Sequence, residues 1–163
     1  MKGRYKGLTM KPIDLERDRD LLLAFKLDTH LISYNTPDDY CPDSYFQRLQ
    51  KRFAMYPEGQ FFLASGDEIL GQIGFYPEDG PEGRWGYIHM LYIVPDARGQ
   101  GLGKYLLGKA IDHFRELGIT TVALSVSSLN QKAKALYHSM GFEQAKFQDS
   151  SLAPKVLLIR KKE

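Results

Sequence analysis

The segment Arg98-Gly99-Gln100-Gly101-Leu102-Gly103-Lys104 sets three glycines on alternate positions between an apolar run and an amphipathic one. Glycine lets a backbone approach an anion closely, and the first turn of a helix offers N–H groups with no partner inside the helix. The helix dipole adds partial positive charge at the same place. Together these describe a loop able to cradle a pyrophosphate, with Arg98 and Lys104 as flanking cations. Two commoner nucleotide patterns fail on spacing. GxxxxGK[ST] needs glycine at 98 and Ser or Thr at 105, where Arg98 and Tyr105 stand. GxGxxG needs glycine at 104 or 106, where Lys104 and Leu106 stand. A tight turn alone needs fewer glycines than this loop has.

Other chemistry is sparser. His30, His113 and His138 share no metal-ligand spacing and read as surface residues, and neither GxSxG nor HExxH occurs. No metal is expected. His89 stands alone in a strand-like run, which suits either a packed ring or a proton acceptor that titrates near neutral pH. Asp38, Asp39, Glu78, Asp79 and Glu82 fall in loop-like segments, as a solvated surface or as a rim that suits a cationic ligand.

The elements that must position these residues follow from periodicity. Thr9 to Ile13 suits a short strand, with Asp14 capping a first helix through Leu15, Leu21, Leu22 and Phe25. Residues 28–42 read as a loop. Asp43 then caps a second helix with Phe46, Leu49, Phe53 and Tyr56 on one face, ended by Pro57. Gln60 to Ser65 and Glu68 to Tyr76 form a hairpin about Gly66-Asp67, a loop spans Pro77 to Gly83, and Arg84 to Val94 makes a third strand. A helix from Leu102 to Leu117, a strand from Thr120 to Val126, a helix from Asn130 to Met140 and a strand from Pro154 to Arg160 complete the chain. Strand, helix, strand requires a crossover, so the strands at Val94 and Thr120 should be parallel.

Composition bounds the rest. The 163 residues carry 22 Lys and Arg against 20 Asp and Glu, a formal charge of +2, and 43% are hydrophobic. That is one ordinary globular domain, residues 1–163, with no electrostatic footprint for nucleic acid or an anionic membrane. Cys41 is the only cysteine, so no internal disulfide forms, and a reducing, cytoplasmic setting fits. Lys2, Arg4 and Lys6 precede no apolar stretch, so neither a signal peptide nor a membrane span is expected.

In these residues the sequence resembles the GNAT superfamily of N-acetyltransferases, whose signature Q/R-x-x-G-x-G/A falls between a strand and a helix. Arg98, Gly101 and Gly103 match it, preceded by Leu91-Tyr92-Ile93-Val94-Pro95. Asn130-x-x-Ala133-x-x-Leu136-Tyr137-x-x-x-Gly141-Phe142 matches a later helix and turn of that family. The close likeness covers about residues 85 to 145. It implies a mixed α+β or α/β fold of three layers. The central sheet would be mostly antiparallel, with six to seven strands and one splayed parallel pair, flanked by about four helices.

The resemblance also implies acetyl transfer from acetyl-CoA to a primary amine of a small molecule or peptide, by direct attack in a ternary complex. Backbone N–H groups of Arg98, Gly99, Gln100, Gly101, Leu102, Gly103 and Lys104 would hold the pyrophosphate. Backbone at Leu91, Tyr92 and Ile93 would pair with the pantetheine arm, and Asn130 and Ala133 would meet it from the other side. Asn130 also suits a helix N-cap. Tyr137 stands at the family's general-acid position, although Ala133, Leu136, Tyr137 and Met140 also read as a packing stripe. Tyr87 stands where many members carry Glu, which leaves His89 as the candidate base. The acceptor and the oligomeric state stay open, a homodimer among the options. So do a longer acyl donor, a hydroxyl acceptor, and a CoA-binding module without turnover.

Overall fold

A computed structural model describes residues 5–80, 83–148 and 155–161. In chain order the elements are β1 (Leu8–Pro12), α1 (Arg19–Tyr34), α2 (Pro42–Met55), β2 (Gln60–Ser65), β3 (Glu68–Gly80), β4 (Gly83–Ile93), α3 (Leu102–Glu116), β5 (Thr121–Ser127), α4 (Gln131–Ser139), β6 (Glu143–Gln148) and β7 (Lys155–Lys161). The strands form one sheet in the order β1-β2-β3-β4-β5-β7-β6. Every neighbouring pair is antiparallel except β4 and β5. The mixed sheet with one parallel pair is the expected fold.

Two apolar layers hold the helices. Leu22 and Phe25 of α1 and Tyr45 and Leu49 of α2 bury against Phe62, Met90 and Tyr92 on one face. Leu102, Leu106, Ala110 and Phe114 of α3 bury against Leu63, Phe75, Ile88 and Val122 on the other, joined by Tyr137 of α4.

β4 is irregular at one residue, and the site depends on it. Phe75 of β3 lies opposite Ile88 while the preceding Gly74 lies opposite Met90, so His89 is an extra residue on β4. Such a bulge shifts the side-chain alternation by one. Ile88 accordingly joins the α3 layer while Met90 and Tyr92 join the α1 and α2 layer. The parallel pairing stops at the same place. Gly86, Tyr87 and Ile88 pair with Val122, Ala123 and Leu124, and no register continues beyond them. The remainder of β4, to Ile93, and of β5, to Ser127, diverge.

Four local expectations are corrected. α1 starts at Arg19 rather than after Asp14, because Asp14 and Asp18 close a turn of their own: Asp14 Oδ1 accepts from the Arg17 N–H and Asp18 Oδ2 from the Asp14 N–H. The helix then runs through much of the supposed loop to Tyr34. Thr29 Oγ1 donates to the Phe25 carbonyl, and Asn35 ends the helix with φ of 57°. α2 is capped by Cys41 rather than Asp43, since Pro42 suits the first helical position and Asp43 then falls in the first turn.

The expected loop from Pro77 to Gly83 is strand as far as Gly80, tied across the hairpin by Trp85 Nε1 donating to Glu78 Oε2 at 2.8 Å. β6 had no alternating apolar signal, being an edge strand that opens with Glu and Gln. Lys2, Arg4, Glu82 and Pro154 lie outside the described residues.

Gly86 sits where α3 presses closest on β4: a Cβ there would lie 2.3 Å from Phe114 Cδ2. Phe114 is fully buried. Gly86→Ala is expected to cost about 1–3 kcal/mol in urea denaturation, and Phe114→Leu in the same chain to recover part of it. Strict additivity of the two changes would refute the contact.

Candidate active site

The divergence of β4 and β5 opens into a cavity of about 430 Å³ roofed by α1, α2 and α4. Ile88 to Leu91 form one wall and Leu124 to Ser127 the other, with Asn130, Ala133 and Tyr137 of α4 beside them. The Val94 N–H donates to the Leu70 carbonyl on β3. By alternation the backbone of Leu91 and Ile93 points the opposite way, into the opening. His89, Leu91, Asn130, Ala133 and Tyr137 are thus brought to one cavity, whereas Ile93 and residues 98–104 lie beyond its end and Tyr92 points to the α1 layer.

Gly99 and Gly101 take φ of 76° and 81°, backbone that favours glycine, and Gly101 is the N-cap of α3 without any side-chain cap. The first turn of α3 therefore keeps its N–H groups for another acceptor. Arg98 does not point at that turn. Its Nε donates to the Ile93 carbonyl at 2.9 Å and its Nη2 to Asp28 Oδ2 at 2.9 Å. Asp28 Oδ2 also accepts from the Tyr92 hydroxyl. Burial, and then the Asp28 carboxylate, push the Tyr92 phenol far up, so it remains a donor. The Arg98 charge is spent on Asp28, and Lys104 is the flanking cation that stays exposed.

His89 is crowded on each side. Its Nε2 lies 3.0 Å from Gln60 Oε1, its Nδ1 lies 3.4 Å from Arg52 Nη1, and its ring stacks on Tyr76 at 5.8 Å between centroids. Gln60 Nε2 donates to the Tyr56 carbonyl, so Oε1 is the atom turned to the ring. Nε2 of His89 is therefore the protonated nitrogen and Nδ1 holds the lone pair, facing a guanidinium. Lost hydration, then the charges of Arg52 and Lys26, hold the imidazolium form well below its ordinary pKa. The ring is neutral at pH 7.

Tyr137 has its phenol raised to about 12 by burial alone, and no described residue hydrogen-bonds its hydroxyl. Asn130 caps α4, its Oδ1 accepting from the Ala133 N–H at 3.2 Å. Its amide NH2 is left as a donor at the cavity wall. The Tyr87 hydroxyl donates to Ser125 Oγ at 3.2 Å, bridging the two strands where they part.

Lys26, His30, Tyr45, Arg48 and Arg52 also line the cavity, and sequence reasoning named none of them as site residues. His30 is buried, contrary to the surface expectation, with Nε2 at 2.7 Å from the Asp38 carbonyl and its ring against Tyr34 and Tyr40. His113 is half-buried, 2.6 Å from the Tyr56 hydroxyl. Of the described acids expected to rim the site, only Asp39 lines the cavity. The one usable signal was that Lys26, Arg48 and Arg52 fall on helical faces otherwise apolar. Among the described residues no group of three or more His, Cys, Asp and Glu is gathered as a metal ion would require, and no helix is long and apolar enough to cross a membrane.

Residues 26–142 match the profile described as "Acetyltransferase (GNAT) family". The mycothiol acetyltransferase of Geodermatophilus obscurus is 38% identical over 100 residues, covering 58% of this chain and 32% of that protein. N-acetyltransferase 8 of Rattus norvegicus is 36% identical over 88 residues, covering 53% and 40%. The chain thus spans well under half the length of either relative. Among solved structures, the PaiA N-acetyltransferase of Thermoplasma acidophilum in complex with coenzyme A superposes with a TM-score of 0.74 at 17% identity, over 96% of this chain and 99% of that one. The NatC complex bound to Gag peptide and CoA gives 0.73 at 22% identity, over 96% and 99%.

A native ring held neutral has a signature in stability. The unfolded chain protonates His89 near pH 6.5 while the folded one does so only at lower pH, so stability falls as pH drops below about 6.5. This one ring contributes at most about 1.4 kcal/mol per pH unit. Urea denaturation at pH 7 and pH 5 should show a smaller loss for His89→Asn than for the parent; equal losses would mean that the ring is not held neutral.

Proposed function

The chain belongs to the acetyltransferase (GNAT) family, and from that membership we propose that it moves an acetyl group from acetyl-CoA to a primary amine of a small molecule or peptide. The observation that carries this reading is the strand opening: β4 loses its parallel partner after Ile88, the cavity between the parted strands reaches Tyr137, and β4 runs on to the loop before the N-terminus of α3, which has no side-chain cap. An extended chain with amide groups fits such a gap as an additional strand would.

The residues then divide the work by position. N–H groups at the start of α3, from Gln100 to Lys104, and the Lys104 side chain hold the pyrophosphate, while Arg98, whose own N–H donates to the Pro95 carbonyl, fixes the loop to the end of β4 and to α1. Backbone at Leu91 and Ile93 pairs with the pantetheine amides, with Tyr92 between them anchoring the strand to Asp28. The Asn130 amide and Ala133 meet the arm from α4. The acetyl carbonyl lies where the strands part, beside a backbone N–H that stabilises its developing negative charge.

The amine attacks as the free base. The N–C bond forms, the C–S bond breaks with its electron pair going to sulfur, and the proton lost by nitrogen balances the one gained by the thiolate. Tyr137 is protonated at any working pH, so it always has a hydrogen bond to give the departing sulfur. Neutral His89 has Nε2 on Gln60 and Nδ1 facing the Arg52 guanidinium, and burial, then the Arg52 charge, make it a weak base. Proton removal therefore runs through water, with His89 orienting rather than storing the proton.

Two variants test the assignment. Gly101→Glu places charge and bulk at a position with φ of 81° and should abolish the thermal stabilisation given by CoA; unchanged stabilisation would refute the loop as the pyrophosphate site. Tyr137→Phe should lower thiol release from acetyl-CoA about 100-fold with CoA affinity retained. Full turnover in that variant would remove Tyr137 from the chemistry.

A further inference from the structure

The wall of the cavity remote from the glycine loop is cationic. Arg48 and Arg52 of α2 and Lys26 of α1 line it, and none of the described ion pairs uses either arginine. Arg52 is half-buried, with Nη1 against His89, and its charge acts on Tyr45, Tyr76 and His89. Tyr45 is 2% exposed and lines the same wall, and its hydroxyl lies near the buried Gln72 amide without forming a hydrogen bond of normal geometry to it or to any other described residue. A buried hydroxyl without a partner beside a guanidinium without a carboxylate is a donor set that lacks its acceptor.

Coenzyme A is not that acceptor. Its pyrophosphate site on the reading above lies past Ile93, four residues and ~13 Å along β4 from His89 at ~3.3 Å per residue. The cations at His89 lie at the other end of the opening, where the acetyl group is delivered. Only Asp39 offers negative charge to the cavity among the acids expected to recruit a cationic amine.

We propose that the acceptor is an amine that also carries a carboxylate or a similar oxyanion, an amino acid or a small relative of one, and that Arg52 selects it. Arg52 presents a planar fork that matches a carboxylate in two hydrogen bonds, the Tyr45 hydroxyl adds a third donor, and Arg48 and Lys26 supply the surrounding field. With the carboxylate held there, the amine is directed toward the parting of β4 and β5. The assignment rests on the transferase reading above, and deepens it by naming the substrate class.

The test compares matched acceptors: amino acids, their primary amides and the corresponding decarboxylated amines, assayed by thiol release from acetyl-CoA. The amides are less basic and the amines more basic than the acids, so basicity cannot favour the acid over both. Aminoalkylphosphonates and aminosulfonates separate a carboxylate preference from a general oxyanion one, and either preference satisfies the proposal. Binding of the same compounds to the CoA-loaded protein is followed by thermal shift, independently of turnover.

The acids should exceed both neutral series by about tenfold or more in kcat/KM. Arg52→Gln should remove that ratio mainly through KM, and Arg52→Lys should restore part of it. A change confined to His89 would move acids and neutral amines together, so the ratio reports the arginine. Neutral amines turned over as well as the acids, or an undiminished ratio in Arg52→Gln, would overturn the proposal while leaving the transferase reading intact. Amino acids that stabilise the parent but not Arg52→Gln, with no thiol release from any amine, would uphold the anion site and overturn transfer. Neither binding nor release would overturn both.

Discussion

The molecule is organised around a pair of strands that stop pairing. β4 and β5 share three residue pairs and then part, yet neither is left unsupported. β4 is held along its other edge by β3, and β5 is paired from Thr121 to Ser127 with β7. Each wall of the opening is thus anchored from behind, so the gap is a fixed feature rather than a frayed edge. Backbone groups in such a gap need hydrogen-bonding partners. That need is what the proposed function fills with the amides of the pantetheine arm.

The bulge at His89 serves the same geometry. Were β4 regular through His89, Ile88, Met90 and Tyr92 would share one face and β4 would bury a single stripe. With it, Ile88 packs under α3 while Met90 and Tyr92 pack under α1 and α2, and the strand changes its allegiance where its partner leaves. His89 itself is pressed among Gln60, Tyr76 and Arg52, and its neutral state follows from that crowding.

Charge is distributed against first expectation. Arg98 reads as an anion-binding cation, but Asp28 and the Ile93 carbonyl occupy it, which makes it a clamp joining loop, strand end and α1. In the proposed function the anion is met instead by backbone N–H groups, which do not need neutralising before a ligand binds. The cations that do face a cavity, Arg48, Arg52 and Lys26, stand at the opposite end, on helices that carry no recognisable motif.

What the sequence by itself determined is what short-range chemistry can encode. The glycine spacing places a turn before α3, apolar periodicity places the helix itself, and Asn130 three residues before Ala133 places the α4 cap. The one parallel crossover follows from the order of elements. The bounds of α1 and β3 were less legible, because Asp, Asn and Pro were read by their local preferences and the sheet and the second helical layer overrode them. Only the tertiary structure decided the rest. A bulge is a relation between two strands, so nothing near His89 announces it, and the depressed basicity of that ring arises from its burial and then from Arg52, 37 residues away. Arg98 meets Asp28 across 70 residues and α2 meets β4 across the sheet. Such partners are chosen by packing, and no local pattern carries them.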